Sequence, residues 1–368
     1  MGRSGRAALL AGRVPGLPSP RTPRLGPAQR GGLVAVGFLT ALGASWEVQR
    51  RRDLRAIEAD PEQQVLGSPP EGRSVRVRAD DGTGLHAEVF GPDDAPTIVF
   101  VHGWTCSLRF WAYQLAALSE SHRLVAYDLR GHGRSERAGS RDYSTDAYAG
   151  DLDAVLRELV PADERATLVG HSLGAMTILA WAARNPDAVE QRCGSAALVN
   201  TGTGDLISES LIVSLPRGLD LARKLVGRIA LGLPAPLPSQ STPLASRLVR
   251  HVALSPSASP AQVAFTESMV LEARPTVRAR TGASLSRLDL AEAIESLTVP
   301  TLVIAGACDR LTPPIHAKGL FEALPRPTDL IEIPDVGHMA PLEGHDDVTE
   351  HIRTLVAHHA RATGQASG

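Results

Sequence analysis

The sequence predicts an α/β fold, with a mostly parallel central sheet flanked by helices. From Ser74 onward, short β-branched and apolar runs alternate with helical stretches, which is typical of strands joined by crossover helices. The runs TIVFV, ATLVG and TLVIAG are apolar almost throughout, as central parallel strands buried on both faces must be. At 368 residues and 43% hydrophobic content, the chain is long enough to bury one large core.

Eight strands are predicted, and the first two are expected to form a hairpin with a polar face. In chain order the strands are Ser74–Arg78, Leu85–Phe90, Thr97–Val101, Leu124–Asp128, Ala166–Gly170, Ala196–Asn200, Thr301–Gly306 and Leu330–Ile333. Between the fourth and fifth strands, Tyr148, Leu152, Val155 and Leu159 recur at helical spacing, so they predict a helix with one face in the core.

The chain divides by composition into three parts. Residues 1–73 form a basic, Pro- and Arg-rich leader, and residues 74–201 together with 288–368 form the α/β core. Between the sixth and seventh strands, residues 202–287 lack the strand alternation and contain proline-broken helical patterns such as Leu219–Leu231 and Ala261–Ala273. We interpret this insertion as a helical lid over the strand ends.

The leader contains an uncharged segment at residues 31–46, preceded by six arginines and no acidic residue. At ~1.5 Å per residue this segment reaches about 24 Å, which is less than the roughly 30 Å of a bilayer's hydrocarbon core. A membrane anchor, a cleaved export signal and a disordered leader all fit this pattern. The sequence therefore leaves open whether the chain is cytoplasmic, membrane-associated or exported.

Charge and cysteine content exclude several classes of function. Lys+Arg at 38 against Asp+Glu at 40 gives a net charge of −2, so a nucleic-acid partner is not expected. The three cysteines show no CxxC spacing, and the twelve histidines show no HExxH pattern. No metal site and no cofactor are predicted. The oligomeric state is left open.

The strongest motif is G-x-S-x-G, formed by Gly170, His171, Ser172, Leu173 and Gly174 between an apolar strand and a helix. A serine on so tight a turn needs glycine two positions away on each side, because larger side chains would collide there. The serine hydroxyl then projects from the carboxyl edge of the sheet. Backbone N–H groups at the start of the helix face the charge that forms on a substrate.

A serine nucleophile needs a histidine base and an acid that orients the histidine. Asp309 follows the strand TLVIAG, and His338 follows the last strand, so both are predicted at the same sheet edge as Ser172. Asp205 is the alternative acid, because it also follows a strand. His345, His351, His358 and His359 are the alternatives to His338, although the last three fall on a polar C-terminal helix.

With this chain order of serine, aspartate and histidine, the sequence from about Ser74 to Arg361 resembles the α/β-hydrolase family. The segments VHGW, beginning at Val101, and DLRGHGRS, beginning at Asp128, resemble two loops of that family. The resemblance implies that the backbone N–H groups of Trp104 and Leu173 form an oxyanion hole. It also implies that His102, Gly103 and His171 shape the loops around the site.

The resemblance favours a serine hydrolase acting on small-molecule carboxylic esters, with an apolar or lipid-like acyl group because the lid is rich in Leu, Val and Ala. Relatives that open epoxides or displace halide carry aspartate where this chain has Ser172. Carbon–carbon bond hydrolases and cofactor-free perhydrolases are the enzymatic alternatives. Perhydrolases usually place Met after the serine and Pro after the tryptophan, where this chain has Leu173 and Thr105. A catalytically silent scaffold that binds a ligand is the alternative of another class.

Overall fold

The structure, a computed structural model, describes residues 45–204, 206, 232–234, 237 and 240–363. The chain forms two compact units, Met1–Gln49 and Arg50–Gly368. In the first unit only residues 45–49 are described, and they are helical. Residues 1–44 of the predicted leader are therefore outside the described residues, and they include most of segment 31–46. No helix among the described residues has both the length and the apolar character needed to cross a bilayer.

The second unit contains an eight-stranded, mostly parallel sheet with helices packed on it, which confirms the predicted fold class. In chain order, the strands β1 to β8 are Arg73–Arg78, Gly84–Phe90, Thr97–Val101, Arg123–Tyr127, Ala166–His171, Cys193–Val199, Thr301–Gly306 and Pro327–Ile333. In the sheet they lie in the order β1-β2-β4-β3-β5-β6-β7-β8; β2 pairs antiparallel with β1 and β4, and all other neighbours are parallel.

Helices pack on the sheet from both faces. The described α-helices of this unit include Gln63–Leu66, Ala112–Leu118, Thr145–Leu159, Leu173–Arg184, Pro186–Arg192, Pro243–Ala253, Pro260–Glu272, Pro275–Leu285, Pro314–Ala323, Ala340–Glu343 and His345–Thr363. Along β3, Val99 and Val101 join one apolar cluster, while Ile98 and Phe100 join the other. Since successive side chains of a strand point to opposite faces, β3 is buried on both sides.

The predicted hairpin forms, but its polar face is wrong for the second strand. All seven residues of β2 are buried, whereas β1 is largely exposed. The polar side chains of β2 have partners: His86 Nε2 lies 3.1 Å from Glu88 Oε1, and Arg134 Nη1 lies 3.2 Å from the same oxygen. Buried charged groups are tolerated when they are paired in this way.

The chain between β6 and β7 contains three described helices: Pro243–Ala253, Pro260–Glu272 and Pro275–Leu285. The predicted helix Ala261–Ala273 differs by one residue at each end, because Ser259 caps it and Pro260 is its first residue. The predicted helix Leu219–Leu231 is outside the described residues. At the two ends of the insertion, Gly204 and Asp289 form an antiparallel bridge, and Leu290 N–H donates to the Thr203 carbonyl at 2.7 Å.

A buried ion pair fixes the loop after β4. Arg130 donates from Nε and Nη2 to the two carboxylate oxygens of Asp151, at 2.7 and 2.6 Å. We expect Asp151→Ala to lower the free energy of unfolding by about 3 kcal/mol, because it leaves a buried guanidinium with only the partly exposed Asp81 as a charged partner. Urea unfolding measures this loss. Asp80→Ala, which removes the exposed partner of Arg157, should cost at most about 1 kcal/mol; equal losses would contradict the expectation.

Candidate active site

A strained turn places Ser172 between β5, which ends at His171, and the helix that begins at Leu173. Ser172 has φ 53° and ψ −116°, a backbone conformation that costs a non-glycine residue about 1–3 kcal/mol. A Cβ atom at Gly170 would lie 2.5 Å from the nitrogen of Ala175, and one at Gly174 would lie 2.0 Å from the Val101 carbonyl oxygen. Only glycine fits at either position, so the turn has the form that the motif predicts.

A buried acid–base pair lies at the same edge of the sheet. His338 Nδ1–H donates to Asp309 Oδ2 at 2.8 Å. The Asp309 carboxylate also accepts from the backbone N–H groups of Leu311 and Thr312, at 2.8 and 3.0 Å, and from the Thr312 hydroxyl and the Asn200 side-chain amide, both at 2.8 Å. Five donors therefore fix one carboxylate that is 1% exposed.

These donors decide the charge of the acid. Burial by itself raises the pKa of Asp309, but the imidazole of His338 and the hydrogen bonds from His338, Thr312 and Asn200 together outweigh it and lower the pKa below its ordinary value. The carboxylate is therefore ionised at neutral pH. It keeps the imidazole proton on Nδ1 and leaves Nε2 as the nitrogen that accepts a proton.

His171 connects the serine turn to the loop of the base. Its Nε2–H donates to the His338 carbonyl at 2.8 Å, and the two ring centroids are 4.9 Å apart. Burial, reinforced by the neighbouring His338, lowers the pKa of His171 to about 3, so this histidine stays neutral. The structure thus brings Asp309 and His338 into contact and holds the Ser172 turn beside them. It does not form a hydrogen bond between the Ser172 hydroxyl and His338 or any other described residue.

The predicted oxyanion donors flank the serine. Neither the Trp104 nor the Leu173 backbone N–H donates a hydrogen bond to another described residue. The loop that carries Trp104 is held by His102, whose Nδ1–H donates to the Gly103 carbonyl at 2.8 Å and whose Nε2 accepts from Leu129 N–H at 3.0 Å. Burial keeps the pKa of His102 well below its ordinary value, so this imidazole is a neutral structural link.

The rival residues lie elsewhere. His345 stacks on Tyr113 with ring centroids 4.0 Å apart, and it begins the helix that carries His351, His358 and His359. The alternative acid, Asp205, is outside the described residues. In the described part of the chain, no group of three or more His, Cys, Asp or Glu side chains is placed to hold a metal ion.

Sequence reasoning missed two residues that hold the acid, Asn200 and Thr312. Asn200 directly follows β6 at the carboxyl edge with φ 48°, and its amide also donates to the Gly337 carbonyl at 3.2 Å. Thr312 stands three residues after Asp309, a spacing at which an aspartate commonly accepts from a nearby backbone N–H. That spacing was a signal for Thr312. No sequence pattern indicated Asn200, because its partner lies 109 residues away.

Comparison with known proteins identifies the family. A family model described as the α/β-hydrolase fold matches residues 96–345. A bifunctional esterase/perhydrolase of Acinetobacter calcoaceticus is 40% identical over 112 residues, which are 30% of this chain and 40% of that protein, so the chain spans less than half of that relative. A protein of Variovorax paradoxus named as a carbamate hydrolase is 33% identical over 262 residues, covering 69% of this chain and 89% of that protein.

A solved structure shows the same architecture. The enol-lactonase of Burkholderia xenovorans superposes with a TM-score of 0.59 at 25% identity, over 77% of this chain and all of that one. The family model covers well over half of the present chain, and the carbamate hydrolase relative is matched over most of its length. The chain therefore belongs to the α/β-hydrolase family.

Proposed function

We propose that this protein hydrolyses carboxylic esters through an acyl-enzyme formed on Ser172. The hydroxyl oxygen of Ser172 attacks the ester carbonyl carbon, and His338 Nε2 takes the hydroxyl proton. The same imidazolium then protonates the departing alkoxide. In the second half-reaction His338 removes a proton from water, which attacks the acyl carbon; the imidazolium then gives that proton to the Ser172 oxygen as the bond to the acyl group breaks and the acid departs.

The observation that carries this proposal is the buried Asp309–His338 pair beside a serine in the strained elbow conformation. An ionised Asp309 stabilises the imidazolium that forms in each half-reaction. The N–H groups of Trp104 and Leu173 are the donors for the carbonyl oxygen as it becomes negative. One such donor typically contributes about 3 to 4 kcal/mol of transition-state stabilisation. The esterase and enol-lactonase among the similar proteins support ester chemistry at this site.

We further propose an apolar or lipid-like acyl group, with the segment between β6 and β7 acting as a lid. In that segment the helix Pro260–Glu272 buries Phe265 and Met269 in the same apolar cluster as Phe110 and Met339. Its neighbour, the helix Pro243–Ala253, ends against the base, where His338 N–H donates to the Ala253 carbonyl at 3.0 Å. One proposed lid helix thus packs on the apolar cluster that contains Met339, the neighbour of His338 in sequence, and the other ends at His338 itself.

A perhydrolase is the second candidate, because one relative is named as a bifunctional esterase/perhydrolase. The perhydrolase pattern has proline at the position of Thr105. Here Thr105 has φ 62°, and proline, with φ fixed near −65°, does not adopt that conformation. Proline therefore does not fit the backbone of this loop at position 105. This favours hydrolysis by water over the perhydrolase reaction.

Active-site labelling together with an ester series tests the proposal. A fluorophosphonate probe should modify Ser172, identified by mass spectrometry of the digested protein, and p-nitrophenyl esters of increasing acyl length should be hydrolysed without an added cofactor. Medium-chain esters should give the highest kcat/KM. Labelling of another serine, or no labelling and no turnover of any ester, would overturn it. Turnover of a vinylogous diketone in place of esters would indicate a carbon–carbon bond hydrolase.

A further inference from the structure

The helix Pro243–Ala253, called here the docking helix, presents an apolar surface to solvent. Leu244 is 70% exposed and Leu248 is 61% exposed. Since residues four apart lie on the same side of a helix, these two leucines form one exposed stripe. The exposed Arg247 and His251 lie on the same side of the helix. A solvent-facing Leu stripe on an otherwise well-formed helix needs an explanation.

The opposite side of the docking helix is fixed to the protein. Thr242 caps its first turn by accepting from Ala245 N–H at 3.1 Å, and Val249 and Ala253 pack in an apolar cluster. On the same side, the Ser246 hydroxyl donates to the buried Glu267 carboxylate at 2.5 Å. The helix is thus held in one orientation, and the leucine stripe is the side that faces outward.

Exposed large apolar side chains are frequent in this part of the sequence. Among the described residues, eight large apolar side chains are exposed, and four of them fall between positions 233 and 248. The other two of these four are Leu233, at 52%, and Leu237, at 37%. Single exposed leucines are ordinary on a protein surface, whereas two on one side of a helix, as Leu244 and Leu248 are, form an apolar patch of the kind found at interaction sites.

The same part of the chain is positively charged. Residues 240–266 contain two arginines and no Asp or Glu, although the whole chain has a net charge of −2. Both arginines, Arg247 and Arg250, are on the docking helix. Arg310, from the loop after β7, adds a third positive charge at the end of this helix, where it donates to the His251 carbonyl at 2.6 Å. The carboxylate in contact with the helix, Glu267, is only 2% exposed and lies on the inner side.

We propose that the docking helix binds the surface of an anionic phospholipid bilayer, with Leu244 and Leu248 inserted among the acyl chains and the arginines at the level of the phosphates. Helices that combine a leucine face with flanking basic residues bind at this depth. At 11 residues the docking helix is about 16 Å long, so it lies in the interface and does not cross the bilayer. This binding is independent of the chemistry proposed for Ser172.

Docking also has a consequence for the site. Because the docking helix ends at Ala253, whose carbonyl accepts from His338 N–H, the proposed base lies within one helix length of the bilayer surface. A lipid-like ester could then reach the serine from the membrane.

A local fluorescent reporter tests docking without interference from the leader. The environment-sensitive dye NBD is attached to Leu248→Cys and, as the control, to Ile315→Cys, which is 63% exposed on the helix Pro314–Ala323. Both carry Cys308→Ser, since Cys106 and Cys193 are buried and burial raises the pKa of each thiol to about 12. With phosphatidylcholine vesicles containing phosphatidylglycerol, we expect a blue shift and quenching by brominated lipid for the dye at 248 and not at 315.

Two variants separate the apolar and the electrostatic contributions. Leu244→Ser combined with Leu248→Ser should weaken vesicle binding of the full chain about tenfold or more, as should Arg247→Glu at low salt. Arg137→Glu is the charge-matched control, because Arg137 is exposed and far from this helix in sequence. The leader is the same in all variants, so any difference reports the docking helix.

Three results would overturn the proposal. The dye at 248 could remain in water on every vesicle, binding could be equal on vesicles of pure phosphatidylcholine, or Arg247→Glu could bind as the parent does. A response of the dye to polyglutamate without a response to vesicles would assign the surface to an acidic protein partner. Circular dichroism verifies that each variant is folded. If the double leucine variant does not fold, the single Arg247→Glu change, which removes an exposed side chain, still tests the proposal.

Discussion

Replacing Ser172 by alanine is expected to lower kcat/KM for p-nitrophenyl esters by roughly 10⁵-fold and to abolish fluorophosphonate labelling. Loss of the nucleophile from a serine–histidine–aspartate site removes nearly all of its catalysis. Only the rate enhancement due to the oxyanion donors and substrate binding remains. The Ser172 side chain makes no hydrogen bond to a described residue, and alanine fits the same turn, so the fold should persist. Kinetics and the thermal unfolding midpoint are measured on the same preparation.

Ser107→Ala is the matched control for this change. Ser107 lies in the same loop as Trp104, it is buried, and its hydroxyl has no hydrogen-bond partner among the described residues. Its replacement should leave kcat/KM within about threefold of the parent. Equal ester hydrolysis by Ser172→Ala and the parent would remove Ser172 from the mechanism. If hydrolysis were lost while affinity for a product acid was kept, the role of Ser172 would be confined to chemistry.

Asp309→Asn is expected to lower kcat by about 10⁴-fold with little change in KM. In the parent, the carboxylate accepts the Nδ1 proton of His338 at 2.8 Å. An asparagine amide can instead donate to Nδ1, which moves the imidazole proton to Nε2, the nitrogen that must accept the serine proton. The base is then present in the wrong tautomer. Binding of the ester does not depend on this proton, so the effect should be confined to kcat.

Two controls accompany this variant. Asp205→Asn tests the alternative acid that the sequence left open, and it should retain activity. Asp335→Asn changes an exposed carboxyl in the loop of His338 at φ 57°, a conformation that asparagine also tolerates. A large loss in Asp205→Asn together with activity in Asp309→Asn would transfer the role of acid to Asp205.

Most of the fold was predictable because local patterns decide it. The continuous apolar runs of β3, β5 and β7 were predicted within one residue of their observed ends, since a strand buried on both faces admits few polar residues. The burial of β2 was not predictable from its own sequence. His86 and Glu88 are typical of an exposed face, and their pairing with each other and with Arg134, 46 residues from Glu88, helps to accommodate them inside.

The candidate site shows the same division between local and distant determinants. The serine turn follows from five consecutive residues, because steric crowding around Gly170 and Gly174 is local. The position of the acid could only be narrowed to Asp309 or Asp205, since either follows a strand at one sheet edge. In the structure Asp309 is held by a set of donors, and one of them, Asn200, reaches it from the end of a different strand. Such a contact is fixed by tertiary packing, which a single sequence does not display.

The bridge between Gly204 and Asp289 has a consequence for how this protein acquires specificity. The two ends of the segment between β6 and β7 are held side by side by this bridge, so a change in the number of residues between them does not by itself require the sheet to move. The entropy of closing such a loop grows only with the logarithm of its length. Lengthening this segment away from its contacts with the core therefore costs little, so the residues proposed to meet the substrate can change while the sheet and the contact between Ala253 and His338 are kept.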